Sequence, residues 1–187
     1  MQRFLVAPAL AVGIALGAFA GLPAAAVAAG STTIDIVTTA GTIEVALDPV
    51  HAPMTVKNFL KYVDKKFYDG GAFFRAVPGF VIQGGNRAKE SPSDVPIKLE
   101  SPLKTGLKNV DGAISMARTS EPDTATSEFF IDDGDQARLD GTDTFPGYAV
   151  FGHVTRGMDV VHKIVSGPAV AQALTTPVTI LRIRRIR

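Results

Sequence analysis

The feature that most constrains this chain is a strand-like period of two, cut into many short runs by glycine, proline and aspartate. Between Ser31 and Asp48 the segments T-I-D-I-V and T-I-E-V-A-L alternate apolar with polar residues, with Thr38-Thr39-Ala40-Gly41 between them. Such alternation marks half-buried strands, and a polar spacer of that length suits a hairpin. Further strand patterns cover Ala72–Val77, Phe80–Gln83, Gly112–Arg118, Glu128–Asp132, Ala149–Val154 and Val178–Ile186. A helical period occurs in only two places. After Ala52-Pro53-Met54-Thr55, residues Val56, Phe59, Leu60 and Val63 fall on one face and Lys57, Lys61, Asp64 and Lys65 on the other. Pro53 suits the helix start and Thr55 its cap. The second helix is expected over Met158–Val165, with Gly157 before it and Gly167-Pro168 after it. Many short strands with two helices predict a closed, mainly β, antiparallel structure capped by those helices. The polar, proline-bearing stretch from Gly85 to Lys108 predicts a long surface loop.

The start of the chain has a different character. Met1-Gln2-Arg3 gives a short positive end, Phe4–Ala20 is apolar, Gly21-Leu22-Pro23 breaks the run, and Ala26-Val27-Ala28 offers a small-x-small cleavage pattern. Residues 1–28 therefore read as a secretory signal peptide, and 29–187 as one mature domain. The competing reading is an N-terminal membrane anchor, since the apolar run approaches the roughly 20 residues a span requires. Loss of the segment takes Arg3 with it and leaves 18 basic against 18 acidic residues. A neutral mature chain gives no sign of a nucleic-acid partner. With no cysteine in 187 residues, disulfides, thiol catalysis and zinc–thiolate sites are excluded. A neutral, exported and disulfide-free chain suits the bacterial periplasm or exterior.

Several motifs invite chemistry that their context does not support. I-Q-G-G-N at 82–86 looks like a phosphate loop but lacks G-x-G-x-x-G and G-K-[ST], so a tight turn is preferred. Asp132, Asp133, Asp135, Asp140 and Asp143 do not take calcium-loop spacing. Ser115 lies in G-A-I-S-M-A, outside any G-x-S-x-G. His51, His153 and His162 show no metal-type spacing, and no metal or cofactor is expected. The C-terminal R-I-R-R-I-R reads as a strand end with solvated arginines. One arginine resists so simple an account. Arg75 stands in F-F-R-A-V, where burial without a partner is costly, so its head must reach solvent, a partner or a site.

F-F-R-A-V-P-G-F-V-I-Q-G-G-N at 73–86 resembles the cyclophilin signature F-H-R-x-x-P-G-F-x-x-Q-G-G-[DN]. G-A-I-S-M-A-R-T and A-T-S-E-F-F-I resemble that family's second signature, and the likeness runs from about Thr33 to Ile183. R-L-D-G and G-Y-A-V-F-G, with the exported start, look most like the periplasmic bacterial branch. The resemblance implies a closed eight-stranded antiparallel barrel capped by two helices, and a peptidyl-prolyl cis–trans isomerase acting on proline-containing polypeptides of exported proteins. It implies Arg75 as the catalytic donor, with Gln83 positioning it. It further implies a substrate site of Phe80, Val81, Ala117, Arg118, Glu128, Phe130, Leu139 and Tyr148. The protein is expected to be monomeric, without lasting membrane association after processing. The alternative is a chaperone that binds proline segments with little turnover. The sequence departs from the family pattern at several positions. Phe74 replaces histidine, Val81 a methionine, Glu128 a glutamine, Tyr148 a histidine, and Arg138 the tryptophan of cyclosporin-sensitive relatives. The last change implies weak cyclosporin binding.

Overall fold

The computed structural model describes residues 32–90 and 95–186. The signal peptide expected over 1–28 lies outside the described residues. Strands β1 (Thr32–Thr38) and β2 (Gly41–Leu47) form the expected hairpin, in register from Thr32 opposite Leu47 to Thr38 opposite Gly41. They are followed by α1 (Pro53–Asp64), β3 (Ala72–Val77), β4 (Val81–Gly85), α2 (Pro102–Thr105), β5 (Ala113–Met116) and β6 (Phe129–Asp132). The chain ends with β7 (Val150–Arg156), α3 (Met158–Val165), β8 (Ala169–Val170) and β9 (Ala173–Arg185). Every pairing is antiparallel, in the order β1-β2-β7-β5-β6-β4-β3-β9, and β9 returns to β1 with Ile34 opposite Arg185. Eight strands thus close a barrel, which removes the exposed edges of an open sheet. The two residues of β8 hang outside it on the start of β9.

The barrel interior is filled by the inward set of each alternation: Ile34 and Ile36, Ile43 and Val45, Ile82, Ile114 and Met116, Phe129 and Ile131. Helix α1 adds Val56, Phe59, Leu60 and Val63, and α3 adds Val160, Val161, Ile164 and Val165. Phe129 is the hub of the aromatic core, with ring centroids 5.5 Å from Phe59, 5.5 Å from Tyr68 and 5.7 Å from Phe73, all edge-to-face. The double glycine ending β4 serves this packing. A Cβ on Gly84 would stand 2.8 Å from the Phe73 ring, so only glycine lets that ring lie flat on the strand.

Two expectations are corrected. Thr55 does not cap α1. The carboxylate of Glu100, far along the chain, accepts from the N–H groups of Met54 and Thr55 at 3.0 and 2.8 Å and from the Thr55 hydroxyl at 2.6 Å. One anion there satisfies two orphan donors and meets the positive end of the helix dipole, which a local hydroxyl cannot match. The stretch after Gly85 is not wholly irregular. It holds the single-turn α2, for which Ser101 accepts the Leu103 N–H at 3.2 Å and Gly106, at φ 76°, terminates the turn. Four residues are too few to show a helical period, so the sequence pattern gave no sign of this turn. The described C-terminal arginines end a strand in solvent, as expected, and two of them are paired there, Arg184 with Asp35 at 2.8 Å and Arg185 with Asp64 at 2.6 Å.

Candidate active site

The site lies on the outside of the barrel wall. Alternation that sends Ile82 and Ile131 inward sends Val81 and Phe130 outward, and these neighbours on β4 and β6 join Leu139 in a small separate apolar cluster. Phe80, Ala117 and Tyr148 pack against it. The turn Val77-Pro78-Gly79-Phe80 delivers Phe80: Pro78 fixes the second position, Gly79 takes φ 68°, and the Phe80 N–H closes on Val77 O at 2.9 Å. Leu139 and Tyr148 come from the segment between β6 and β7, tied to each other by Tyr148 N–H to Leu139 O at 2.9 Å. The Phe130 and Tyr148 rings meet edge-to-face at 5.5 Å. Together they leave a cleft of about 240 Å³, lined by Arg75, Phe80, Val81, Gln83, Ala117, Arg118, Phe130, Leu139 and Tyr148.

Nine of the ten site residues expected from the sequence therefore line one cleft. Glu128 does not. Its carboxylate stands behind Gln83, accepting from Gln83 Nε2 at 2.6 Å and from Arg87 Nε at 2.7 Å. A carboxylate can only accept, so it turns the Gln83 amide nitrogen away from the cleft and the Gln83 carbonyl oxygen toward Arg75. Arg75 Nη1 donates to that oxygen at 3.2 Å. Arg87 in turn lies 3.7 Å from the centre of the Phe74 ring. Two departures from the family pattern, Phe74 and Glu128, are thus joined through one arginine.

The other cations of the cleft are held by carbonyls and rings. Arg118 donates to Gly147 O from Nε and Nη2 at 3.2 and 2.8 Å and from Nη1 to Thr119 O and Ser120 O, and lies 4.5 Å from the Tyr148 ring centre. The resemblance assigns Ala117 and Arg118 to backbone pairing with substrate. The Ala117 N–H is already donated to Glu128 O at 2.9 Å, so the alanine adds its methyl to the cleft wall. Arg138 lies 4.0 Å from the centre of the Phe80 ring, and Arg75 lies 5.7 Å from the same ring. No serine, histidine, aspartate or glutamate lines the cleft.

The acidic residues of the 132–140 region work elsewhere. Asp133 accepts the Gly79 N–H at 2.7 Å, Asp135 the Asp111 N–H at 3.0 Å, and Asp140 the Asn109 N–H at 2.7 Å. Asp111, Asp133 and His162 bring metal-type ligand atoms within 4.8 Å of one another, but none of the three lines the cleft. Asp132 is different: it is fully buried and neither carboxyl oxygen has a hydrogen-bond partner. Burial, reinforced by the negative charges of Asp140 and Asp111, pushes its pKa up to about 8.

A closed eight-stranded barrel with the Arg75 and Arg118 guanidinium groups beside an apolar recess on its outer wall defines a β-barrel class with a surface cleft suited to an apolar side chain and its adjoining backbone. The chain belongs to the family described as cyclophilin type peptidyl-prolyl cis-trans isomerase/CLD, which it matches over residues 33–185, and it is a peptidyl-prolyl cis–trans isomerase of that type. It is 50% identical over 137 residues to peptidyl-prolyl cis-trans isomerase A of Dickeya dadantii, covering 72% of this chain and 71% of that one. It is 46% identical over 160 residues to a peptidyl-prolyl cis-trans isomerase of Acinetobacter baylyi, covering 84% and 82%. A crystal structure of a Cryptosporidium parvum cyclophilin type isomerase superposes with a TM-score of 0.74 at 25% identity, covering 84% of this chain and 98% of that one. The same protein in the presence of the dipeptide Ala-Pro gives 0.73 at 26% identity, covering 83% and 99%.

Three contributors were not foreseen from the sequence. Arg87 and the Arg118 side chain lie close to recognised motifs, yet nothing in the motifs states what they hold. Gln172, which touches Arg75, is 97 residues away and belongs to no motif.

Proposed function

We propose that Arg75 is the catalytic donor of this isomerase, that Gln83 positions it, and that Phe80, Val81, Phe130, Leu139 and Tyr148 form the socket for the substrate proline ring. The supporting observation is the Arg75 guanidinium standing beside an apolar recess on the barrel wall. Rotation about an X–Pro bond meets a barrier of ~18–20 kcal/mol because resonance gives the C–N bond double-bond character. On twisting, the proline nitrogen pyramidalises and recovers its lone pair. A donor aimed at that lone pair binds the twisted amide better than either planar form, and only such differential binding accelerates the step. No bond is made or broken, so a cleft without nucleophile or general base is sufficient.

The exported start and the likeness to bacterial relatives support a periplasmic role in folding secreted chains, where uncatalysed exchange over tens of seconds limits folding. The protein acts there as a monomer on proline-containing polypeptides, without nucleic acid and without lasting membrane association. No helix among the described residues is long and apolar enough to cross a membrane. Arg138 on Phe80 offers cyclosporin a cation where a flat indole donor would stand, which supports weak binding. Arg75→Ala tests the mechanism in a protease-coupled proline-peptide assay. The variant should lose about 10²-fold in kcat/KM with an unchanged melting temperature. A variant as fast as the parent would remove Arg75 from the mechanism.

A further inference from the structure

We propose that Gln172 is a positioning residue for Arg75, and that the turn between β8 and β9 is held in an unfavourable backbone conformation in order to deliver it. The inference rests on Arg75 being the donor. Ala173 stands opposite Arg75 in the β3–β9 ladder, which brings the turn residue before it alongside the guanidinium. Gln172 then grips β3 twice. Its backbone carbonyl accepts the Ala76 N–H at 3.0 Å, and its side-chain Oε1 accepts from Arg75 Nε at 2.9 Å and Nη2 at 2.7 Å.

A guanidinium carries five N–H donors. Gln172 and Gln83 occupy three of them through two oxygens, which fixes the plane and leaves one N–H on Nη1 and one on Nη2 for the substrate. Both acceptors are neutral amides. They hold the fork without cancelling the charge that the proline lone pair is to feel. Removal of Gln172 would leave Arg75 with one 3.2 Å hydrogen bond and a ring 5.7 Å away.

The backbone supports the same conclusion. Val170 pairs with Ala173, so Ala171 and Gln172 are the two central residues of a hairpin turn, with φ 48° and 71°. Such turns favour asparagine and glycine because both central residues must be left-handed. A glutamine there sacrifices backbone comfort, and the contact with Arg75 is the gain that accounts for it.

That conflict supplies the test, because a structural role and a positioning role move in opposite directions. Gln172→Gly relieves the backbone and deletes the acceptor. We expect its melting temperature to equal or exceed the parent's while kcat/KM falls ~10-fold, mainly in kcat. Gln172→Glu, which keeps an acceptor oxygen at the same reach but partly offsets the guanidinium charge, should fall between the parent and Gln172→Gly. Rates are read by NMR exchange on a proline peptide, so that slow variants remain measurable. In an Arg75→Ala background, Gln172→Gly should cost nothing more. A Gln172→Gly protein with parental kcat/KM, or an equal loss in both backgrounds, overturns the proposal. Full activity in Arg75→Ala alone would instead defeat the donor assignment, and the positioning role would fall with it.

Discussion

The barrel carries two apolar clusters, one on each side of the same wall, and they differ in whether the protein fills them. On β6, Phe129 points in and Phe130 points out. On β4, Ile82 points in and Val81 points out. The inner cluster is finished: Phe129 meets three other aromatic rings, and nothing is left for a ligand to do. The outer cluster has three buried members and an open recess of about 240 Å³ beside them. Adjacent residues of equal size therefore serve stability on one face and binding on the other. The apolar run F-F-I is not redundant packing; its alternation divides the two tasks.

Substitution at the two phenylalanines separates those tasks with the largest effect available. Phe129→Ala should cost about 3–5 kcal/mol of stability, because it opens a cavity at the centre of a dense aromatic cluster. Its kcat/KM, measured well below the lowered melting temperature, should stay close to the parent's. Phe130→Ala should cost less, about 2–3 kcal/mol, since its cluster is small and the gap it leaves joins the recess. Its loss should fall on KM for proline peptides. Equal destabilisation by the two variants, followed by chemical denaturation, would mean that the outer cluster is also a core.

A second contrast lies on the outer face itself, between Phe130 and Asp132, two residues further along β6. By alternation Asp132 should meet solvent. It is instead buried without a partner, its pKa raised to about 8. In the unfolded chain the group titrates near 3.8, so the folded protein holds a proton that the unfolded chain has released between those values. The stability this group permits is complete below pH 4 and is lost as pH rises toward 8, at up to about 1.4 kcal/mol per pH unit. Asp132→Asn cannot ionise, so its advantage over the parent should grow steadily from pH 5 to pH 8. The difference between the two proteins isolates this carboxyl from all other titrating groups. Parallel stability curves for parent and variant across that window would show that Asp132 is charged throughout.

How much of this was legible depends on how far along the chain each contact reaches. Period-two runs fixed the strands, and i, i+3, i+4 spacing fixed α1 and α3, because those signals are local. Arg75 stood out locally, as an arginine in an apolar run, whereas the roles of Phe80 and Gln83 came from the resemblance although one turn and one short hairpin hold them beside it. Phe130, Leu139 and Tyr148 came from the resemblance, and periodicity alone could not have joined them to Arg75. Gln172 was not legible. Its contact depends on the β3–β9 register and on a turn conformation that A-Q does not advertise. Asp132 shows the complementary limit. Alternation tells which face a side chain takes but not whether another segment covers that face.

The smallest effect tests the layer behind the recess, where Glu128 holds Gln83 with one oxygen and Arg87 with the other. Glu128→Gln keeps the side-chain shape and the capacity to accept one hydrogen bond. It loses the ion pair to a mostly exposed Arg87, an interaction worth under ~1 kcal/mol. Stability should change by no more than that. The consequence for activity comes through orientation, since a carboxylate accepts on both oxygens whereas an amide can also present its nitrogen to Gln83. Part of the Gln83 population would then turn its nitrogen toward Arg75, where two donors face each other. A two- to threefold fall in kcat/KM is expected, on the order of 0.5 kcal/mol, and it should disappear when Gln83 is already alanine. A fall that persists in the Gln83→Ala background would place Glu128 in direct contact with substrate, on the recess wall instead of behind it.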